Sequence, residues 1–350
     1  MATANDKSQK LRRVRLEDIA QRCEVSISTV SRVLTGAKGV RPEIRRKVTE
    51  AALSARYPVA AGLAGMRVLL AASGAAMTDY IRNQFTWHVL DGLKARAAEL
   101  GLEIVTRPIE ETARPSAALL EALRDPPIRG LLLLTVDDEA TLGAVDAVGK
   151  PVVLVNADDP WMRMSSVTPC NRSAARLATD FLAEQGHRRI LFLMRPGRRT
   201  IERRLEGWRD SLRAHGLSCR DDQVVTVEDW LPDLAERALG QRLDRTGPTF
   251  DAVLCAGDSL AAGAIGALAA RGIGVPERVS VMGMDDLPLG EFLTPRLTTV
   301  HIPMREIGAT ALDLLQERIA GGSAIARRVE LACRIVVRGS VALARANSAR

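Results

Sequence analysis

The sequence predicts a small all-α unit followed by an α/β core of two doubly wound parallel-sheet lobes. Three observations predict it. Apolar residues recur at helical spacing in two short runs near the start, and from Met66 onward short apolar runs alternate, twice over, with segments of helical length. The net charge is also confined to one end: residues 1–65 hold 13 Lys+Arg against 6 Asp+Glu, whereas residues 66–350 hold 36 of each. At 350 residues the chain is long enough for one small and one larger unit, each with its own core.

The first unit is read from Val14 to Leu34. Leu16, Ile19, Ala20 and Cys23 share one helical face, and Val30, Val33 and Leu34 share another after a break at Cys23-Glu24-Val25. Ser26 stands where the second helix starts, and its hydroxyl suits an N-cap. With the apolar faces turned to a common core, Ile27, Ser28, Thr29, Ser31 and Arg32 are left outside, a set suited to base edges and phosphates in a major groove. This is a helix-turn-helix. A third helix is expected from Pro42-Glu43, with Ile44, Val48 and Ala51 inward, and residues 1–57 form the unit. A basic surplus alone reads more readily as a solvated arm than as a polyanion-binding face; joined to a helix-turn-helix it points to a polyanion. Arg45-Arg46-Lys47 adds to that field.

Residues 58–66 are small, with one proline and two glycines, and read as a linker. In the core at 67–341, strands are expected at 68–72, 103–106, 130–136 and 151–155, then at 189–194, 223–227, 252–255 and 279–282, with helices between them. The chain is expected to divide into a first lobe of about 67–168 plus 299–328 and a second of about 169–297 plus 329–341. Doubly wound sheets bind ligands beyond the carboxyl ends of their strands. Ser73, Asn156, Trp230, Gly257-Asp258 and Asp285-Asp286 stand at such ends. Amide, carboxylate and indole groups there suit a polyhydroxylated ligand, whose hydroxyls need acceptors and whose C–H face needs an aromatic ring.

Other classes are disfavoured. No run of 18 apolar residues exists and the start is polar, so neither a membrane span nor a secretory signal is expected, and the protein is read as cytoplasmic. Cys23, Cys170, Cys219, Cys255 and Cys333 are odd in number and far apart in the chain, which speaks against a disulfide framework and a zinc site; they read as reduced thiols. His88, His187, His215 and His301 lack ligand spacing, and no nucleophile elbow, phosphate loop or H-E-x-x-H motif occurs. No metal, cofactor or catalytic set is expected.

The run Leu16-x-Asp18-Ile19-Ala20, then Val25-Ser26-x-x-Thr29-Val30-Ser31-Arg32-Val33-Leu34, resembles the headpiece signature of the LacI/GalR family of bacterial transcription regulators. Glu24 and Thr35 stand where that family usually has glycine and asparagine. The resemblance continues through Asn83-Gln84-Phe85-Thr86, Gly186-His187-Arg188-Arg189-Ile190, Arg204-Leu205-Glu206-Gly207-Trp208, the run 279–286 and Leu297-Thr298-Thr299-Val300. It implies a periplasmic-binding-protein-like core, a homodimer on operator DNA, and a hinge in which Leu63 wedges into the minor groove; residues 58–66 read equally as a flexible tether with an incidental leucine. By position it also implies an effector pocket containing Phe85, Asn156, Arg204, Trp230 and Asp285, with Gly257 and Cys170 replacing a common asparagine and aspartate.

The expected function is therefore a repressor whose operator affinity is set by a sugar, polyol or sugar acid held between the lobes. The alternatives are a cytoplasmic sugar-binding protein and an α/β enzyme, the latter weakened because Asp285 and Asp286, adjacent on a strand end, point to different faces.

Overall fold

The computed structural model describes residues 15–34, 39–55, 65–74, 84–109, 115–321 and 325–344. Three helices, α1 (Leu16–Cys23), α2 (Ile27–Leu34) and α3 (Pro42–Ser54), form the first unit. Ile19, Ala20, Cys23, Val30, Val33, Leu34, Val48 and Ala52 are its buried core. Leu16, Ile44 and Ala51, expected inward, are only half-buried beside them. The Glu24 backbone is left-handed, with φ 54° and ψ 42°. This lets Val25 N–H return to Ala20 C=O at 3.1 Å and closes the α1 end in the manner glycine usually supplies.

The core holds two six-stranded sheets. The first has the order β11 (Arg328–Leu331), β5 (Ser165–Pro169), β4 (Val152–Val155), β3 (Ile128–Leu134), β1 (Arg67–Ser73), β2 (Glu103–Ile109), all parallel. The second has the order β12 (Arg334–Val336), β10 (Thr298–His301), β9 (Ser280–Asp285), β8 (Ala252–Cys255), β6 (Ile190–Met194), β7 (Val224–Thr226), parallel except for the β12–β10 pair. Strands such as Val68–Ala72 are fully buried because helices cover both faces, which is why they read as unbroken apolar runs. Backbones of the covering helices touch: a Cβ on Gly92 would lie 2.1 Å from the Arg305 carbonyl oxygen, and one on Gly308 2.1 Å from that of Val89.

The chain crosses between lobes after Pro169, after His301 and after Leu331. The expected divisions placed 299–328 in the first lobe and 329–341 in the second. Ladder hydrogen bonds instead draw β10 into the second sheet and β11 into the first, because each strand completes the sheet before the chain leaves it. No helix among the described residues is long and apolar enough to cross a membrane.

Candidate functional site

Ser26 Oγ accepts a hydrogen bond from Thr29 N–H at 3.1 Å, so the expected N-cap of α2 is formed. The hydroxyls of Ser28 and Thr29 gather on the same oxygen at 2.9 and 2.8 Å. Ser26, Ile27, Ser28 and Arg32 are exposed, and Thr29 and Ser31 half-buried, so one outward face of α2 and its cap brings all six together. Ile27 is 47% exposed at the leading end of α2, a position from which an apolar side chain can meet a thymine methyl. Leu63 and residues 58–64 of the linker lie outside the described residues.

In the core a cavity of about 360 Å³ opens between the lobes, at the carboxyl ends of both sheets. Phe85, Asn156, Arg204, Trp230 and Asp285 all line it. Phe85 comes from the helix Gln84–Leu100, Asn156 follows β4, Arg204 lies in the helix Arg199–Ala214, Trp230 precedes the helix Pro232–Thr246, and Asp285 ends β9. Thr135, Asn156 and Asp285 hold positive φ angles of 58°, 49° and 141°, a backbone that few non-glycine residues adopt and that the tight strand-end turns impose.

Arg204 is 4% exposed. Its Nε donates to Asn171 Oδ1 at 2.8 Å and one terminal nitrogen donates to the Ala256 carbonyl at 2.5 Å, while that nitrogen lies 3.6 Å from Asp285 Oδ1. Burial pushes the Asp285 carboxyl up to about 7, against the pull of the Arg204 charge. Asp285 Oδ1 and Asn156 Oδ1 are buried acceptors without a hydrogen-bond partner. Unmatched acceptors on a cavity wall are what hydroxyl donors of a ligand would satisfy. Asp285 and Trp230 pack closely on Gly257: a Cβ there would stand 3.2 Å from Asp285 Oδ2 and 3.3 Å from the Trp230 ring, so a side chain at this position would push on both.

Arg195 and Arg198 also line the cavity and were not among the expected residues. They follow β6, so the strand-end rule that found Asn156 and Asp285 would have found them had it been applied there. Arg198 reaches across to the first lobe, donating to the Asn156 carbonyl at 2.5 Å and lying 3.6 Å from Asp137 Oδ2. Burial lowers its guanidinium below the usual value and raises the Asp137 carboxyl. A second tie sits outside the cavity. Asp158 of the first lobe is 1% exposed and accepts from Arg203 of the second at 2.8 Å, with Arg199 at 3.8 Å and Arg328 on its other oxygen. Asp286, by contrast, is engaged by Arg338 at 2.7 Å and His301 at 2.9 Å, away from Asp285. Among the described residues no cluster of His, Cys, Asp or Glu could hold a metal ion.

Comparison with known proteins bears on both sites. Residues 15–58 match the family model of bacterial regulatory proteins of the lacI family, and residues 179–341 match a periplasmic binding protein-like domain. The transcriptional regulator MalR of Streptomyces coelicolor is 32% identical, over 94% of this chain and 97% of its own. The transcriptional repressor CytR of Escherichia coli is 28% identical, over 93% and 95%. Among solved structures, a CelR–cellobiose complex is 30% identical and superimposes with a TM-score of 0.73, covering 94% of this chain and all of that one. A lac repressor dimer bound to operator and an anti-inducer shares the fold with a TM-score of 0.68 at 24% identity, over 95% of this chain and all of that one. The chain therefore belongs to the LacI family of bacterial transcriptional regulators, joining a helix-turn-helix DNA-binding unit to a two-lobed effector-binding core.

Proposed function

We propose that this regulator is a cytoplasmic repressor that binds a roughly palindromic operator as a homodimer and is tuned by a sugar, polyol or sugar acid in the cleft. The observation that carries the ligand class is the meeting of Phe85, Asn156, Arg204, Trp230 and Asp285 on one cavity with two unmatched buried acceptors. The carboxylate and guanidinium take vicinal hydroxyls, the Trp230 indole takes a C–H face, and Arg195 and Arg198 accommodate a carboxylate where the sugar carries one. The cleft binds and does not transform: Asp285 faces Arg204, while Asp286 is spent on Arg338 and His301, so no acid and base share a reacting position.

On DNA, Ile27 and Ser28 choose bases, Arg32 meets a base or phosphate further along, Ser26, Thr29 and Ser31 hold the groove wall, and Leu63 fills the minor-groove step between half-sites. The two half-sites of a palindrome call for two copies of this face. The ligand acts by binding one lobe arrangement better than another, so operator DNA must change ligand affinity by the same factor as ligand changes operator affinity.

The test is a thermal-shift screen of neutral sugars, polyols and sugar acids on the full chain, followed by selection of duplexes from a random pool. A compound that raises Tm in the natural chain and not in Arg204→Gln, and that changes affinity for the selected duplex reciprocally, is the expected result. A chain that ignores duplex DNA at low ionic strength would overturn the regulator reading for this protein. A duplex-binding chain whose Tm no carbohydrate moves would overturn the ligand class.

A further inference from the structure

The cysteines, scattered in the sequence, do not stay apart in the fold. Cys170 follows β5 of the first lobe and directly precedes the helix Asn171–Glu184 of the second. Cys333 lies between β11 of the first sheet and β12 of the second. Each therefore sits in a segment that crosses between lobes, and the two segments run side by side. Leu331 pairs with Pro169 as the last step of the β11–β5 ladder. The Leu331 carbonyl then accepts from Cys170 N–H at 2.9 Å and from the Cys333 thiol at 3.7 Å. Both side chains are half-buried against the same apolar cluster of the second lobe, on either side of the Leu331 carbonyl they share.

We propose that Cys170 and Cys333 are a modification site, forming a reversible disulfide under hydroperoxide that ties two of the three crossovers and locks the lobes against the movement effector binding uses. The lock rests on the allosteric reading above; formation of the bond does not.

The chemistry needs one nucleophile and one resolving thiol. Cys170 is the nucleophile: it stands at the positive end of a 14-residue helix, and the neighbouring Cys333 thiol lowers its own thiol to about 6, well below the ordinary value. The Cys333 thiol is correspondingly held up by its neighbour and by burial, and stays protonated. The Cys170 thiolate attacks the outer oxygen of a hydroperoxide, the O–O bond breaks, and the alcohol leaves with a proton from solvent. Cys170 is oxidised by two electrons to the sulfenic acid. The Cys333 sulfur then attacks the Cys170 sulfur, the S–O bond breaks, and water leaves carrying the Cys333 thiol proton. Two thiols and one hydroperoxide give one disulfide, one alcohol and one water. An added thiol reverses it by exchange.

The consequence for the cleft follows from adjacency. Asn171, next to Cys170, holds Arg204 on the cavity wall through its side-chain oxygen. The ladder that joins the two segments ends at Leu331 and Pro169, so the backbone just beyond it is where the lobes turn. A covalent tie placed there makes the two segments turn together or not at all.

The full chain is treated with hydrogen peroxide, its thiols are counted after denaturation, and non-reduced peptides are mapped by mass. Thiols are expected to fall by two from five, with one linked pair of peptides carrying Cys170 and Cys333, lighter by two hydrogens and parted by dithiothreitol. Cys170→Ser should keep its four remaining thiols at the same dose, and Cys333→Ser should lose only the Cys170 thiol, to the sulfenic acid, with no linked pair. Absence of the linked pair at doses that oxidise methionine overturns the site. For the lock, amide exchange at residues 170–171 and 332–334 should slow roughly tenfold or more in the oxidised natural chain and not in Cys333→Ser. A linked chain whose exchange there is unchanged overturns it. Neither measurement involves DNA or effector, so failure of the regulator reading and failure of this one are told apart.

Discussion

Replacing Arg204 by Gln removes the charge that faces Asp285, and the loss should show as a pH dependence that the natural chain lacks above neutrality. The guanidinium is 4% exposed and serves three groups: Asn171 Oδ1, the Ala256 carbonyl and, at 3.6 Å, the Asp285 carboxylate. Burial has already lifted Asp285 to about 7 while Arg204 pulls it down. The folded value thus lies above that of an unfolded aspartate. The stability this gives is whole below the unfolded value and is lost as pH rises, the loss ending near 7 once the folded acid has ionised. Without Arg204 the folded value moves higher and the loss runs on. Each further pH unit costs about 1.4 kcal/mol, so between pH 7 and about 8.5 the variant should lose about 2 kcal/mol that the natural chain keeps. Beneath this lies a pH-independent loss of about 1–3 kcal/mol from hydrogen bonds no longer made to a charged group. Urea unfolding followed by tryptophan fluorescence, with Trp208 and Trp230 both in the second lobe, reads it at pH 5.5, 7 and 8.5. The double variant Arg204→Gln, Asp285→Asn should show no such slope. Parallel stability curves for the natural chain and Arg204→Gln across that range would refute the pairing.

Three further outcomes are expected. Glu24→Gly should stabilise the helical unit by about 1 kcal/mol, since Glu24 holds a left-handed backbone and its exposed contact with Lys47 at 3.7 Å returns little; a Tm at or below that of the natural chain would count against it. Exchanging Ile27 and Ser28 together should change which duplex is selected, whereas Lys47→Ala should weaken all duplexes alike and reduce the salt slope by about 1. Asp158→Asn removes the carboxylate that joins Arg203 of one lobe to Arg328 of the other, and should weaken ligand binding roughly tenfold, about 1.4 kcal/mol, as measured by calorimetry with the compound found in the screen.

The Cys170–Cys333 pair shows why some features escape a reading along the chain. An odd number of widely spaced cysteines speaks against a disulfide framework. Spacing along the chain nonetheless says nothing of which segments cross a hinge together. The crossing strands escaped for a related reason. Ser165–Pro169 has no apolar run, yet it is fully buried because its neighbours on both sides complete its ladder and Arg327 N–H caps Ser165 Oγ at 3.1 Å. Nothing beside Arg198 and Arg203 in the sequence marks the carboxylates of the other lobe that stand opposite them.

By itself the sequence determined what periodicity and local hydrogen bonding can write. These are the helix-turn-helix with its Ser26 cap, the inward stripes, the buried parallel strands and, through the strand-end rule, Asn156, Trp230 and Asp285 on one cavity. Only the tertiary structure decided which sheet each crossing strand completes, which charges bridge the lobes and which cysteines become neighbours. Those contacts join residues as far apart as Asp137 and Arg198, or Cys170 and Cys333, and no local pattern of side chains encodes a partner at that distance.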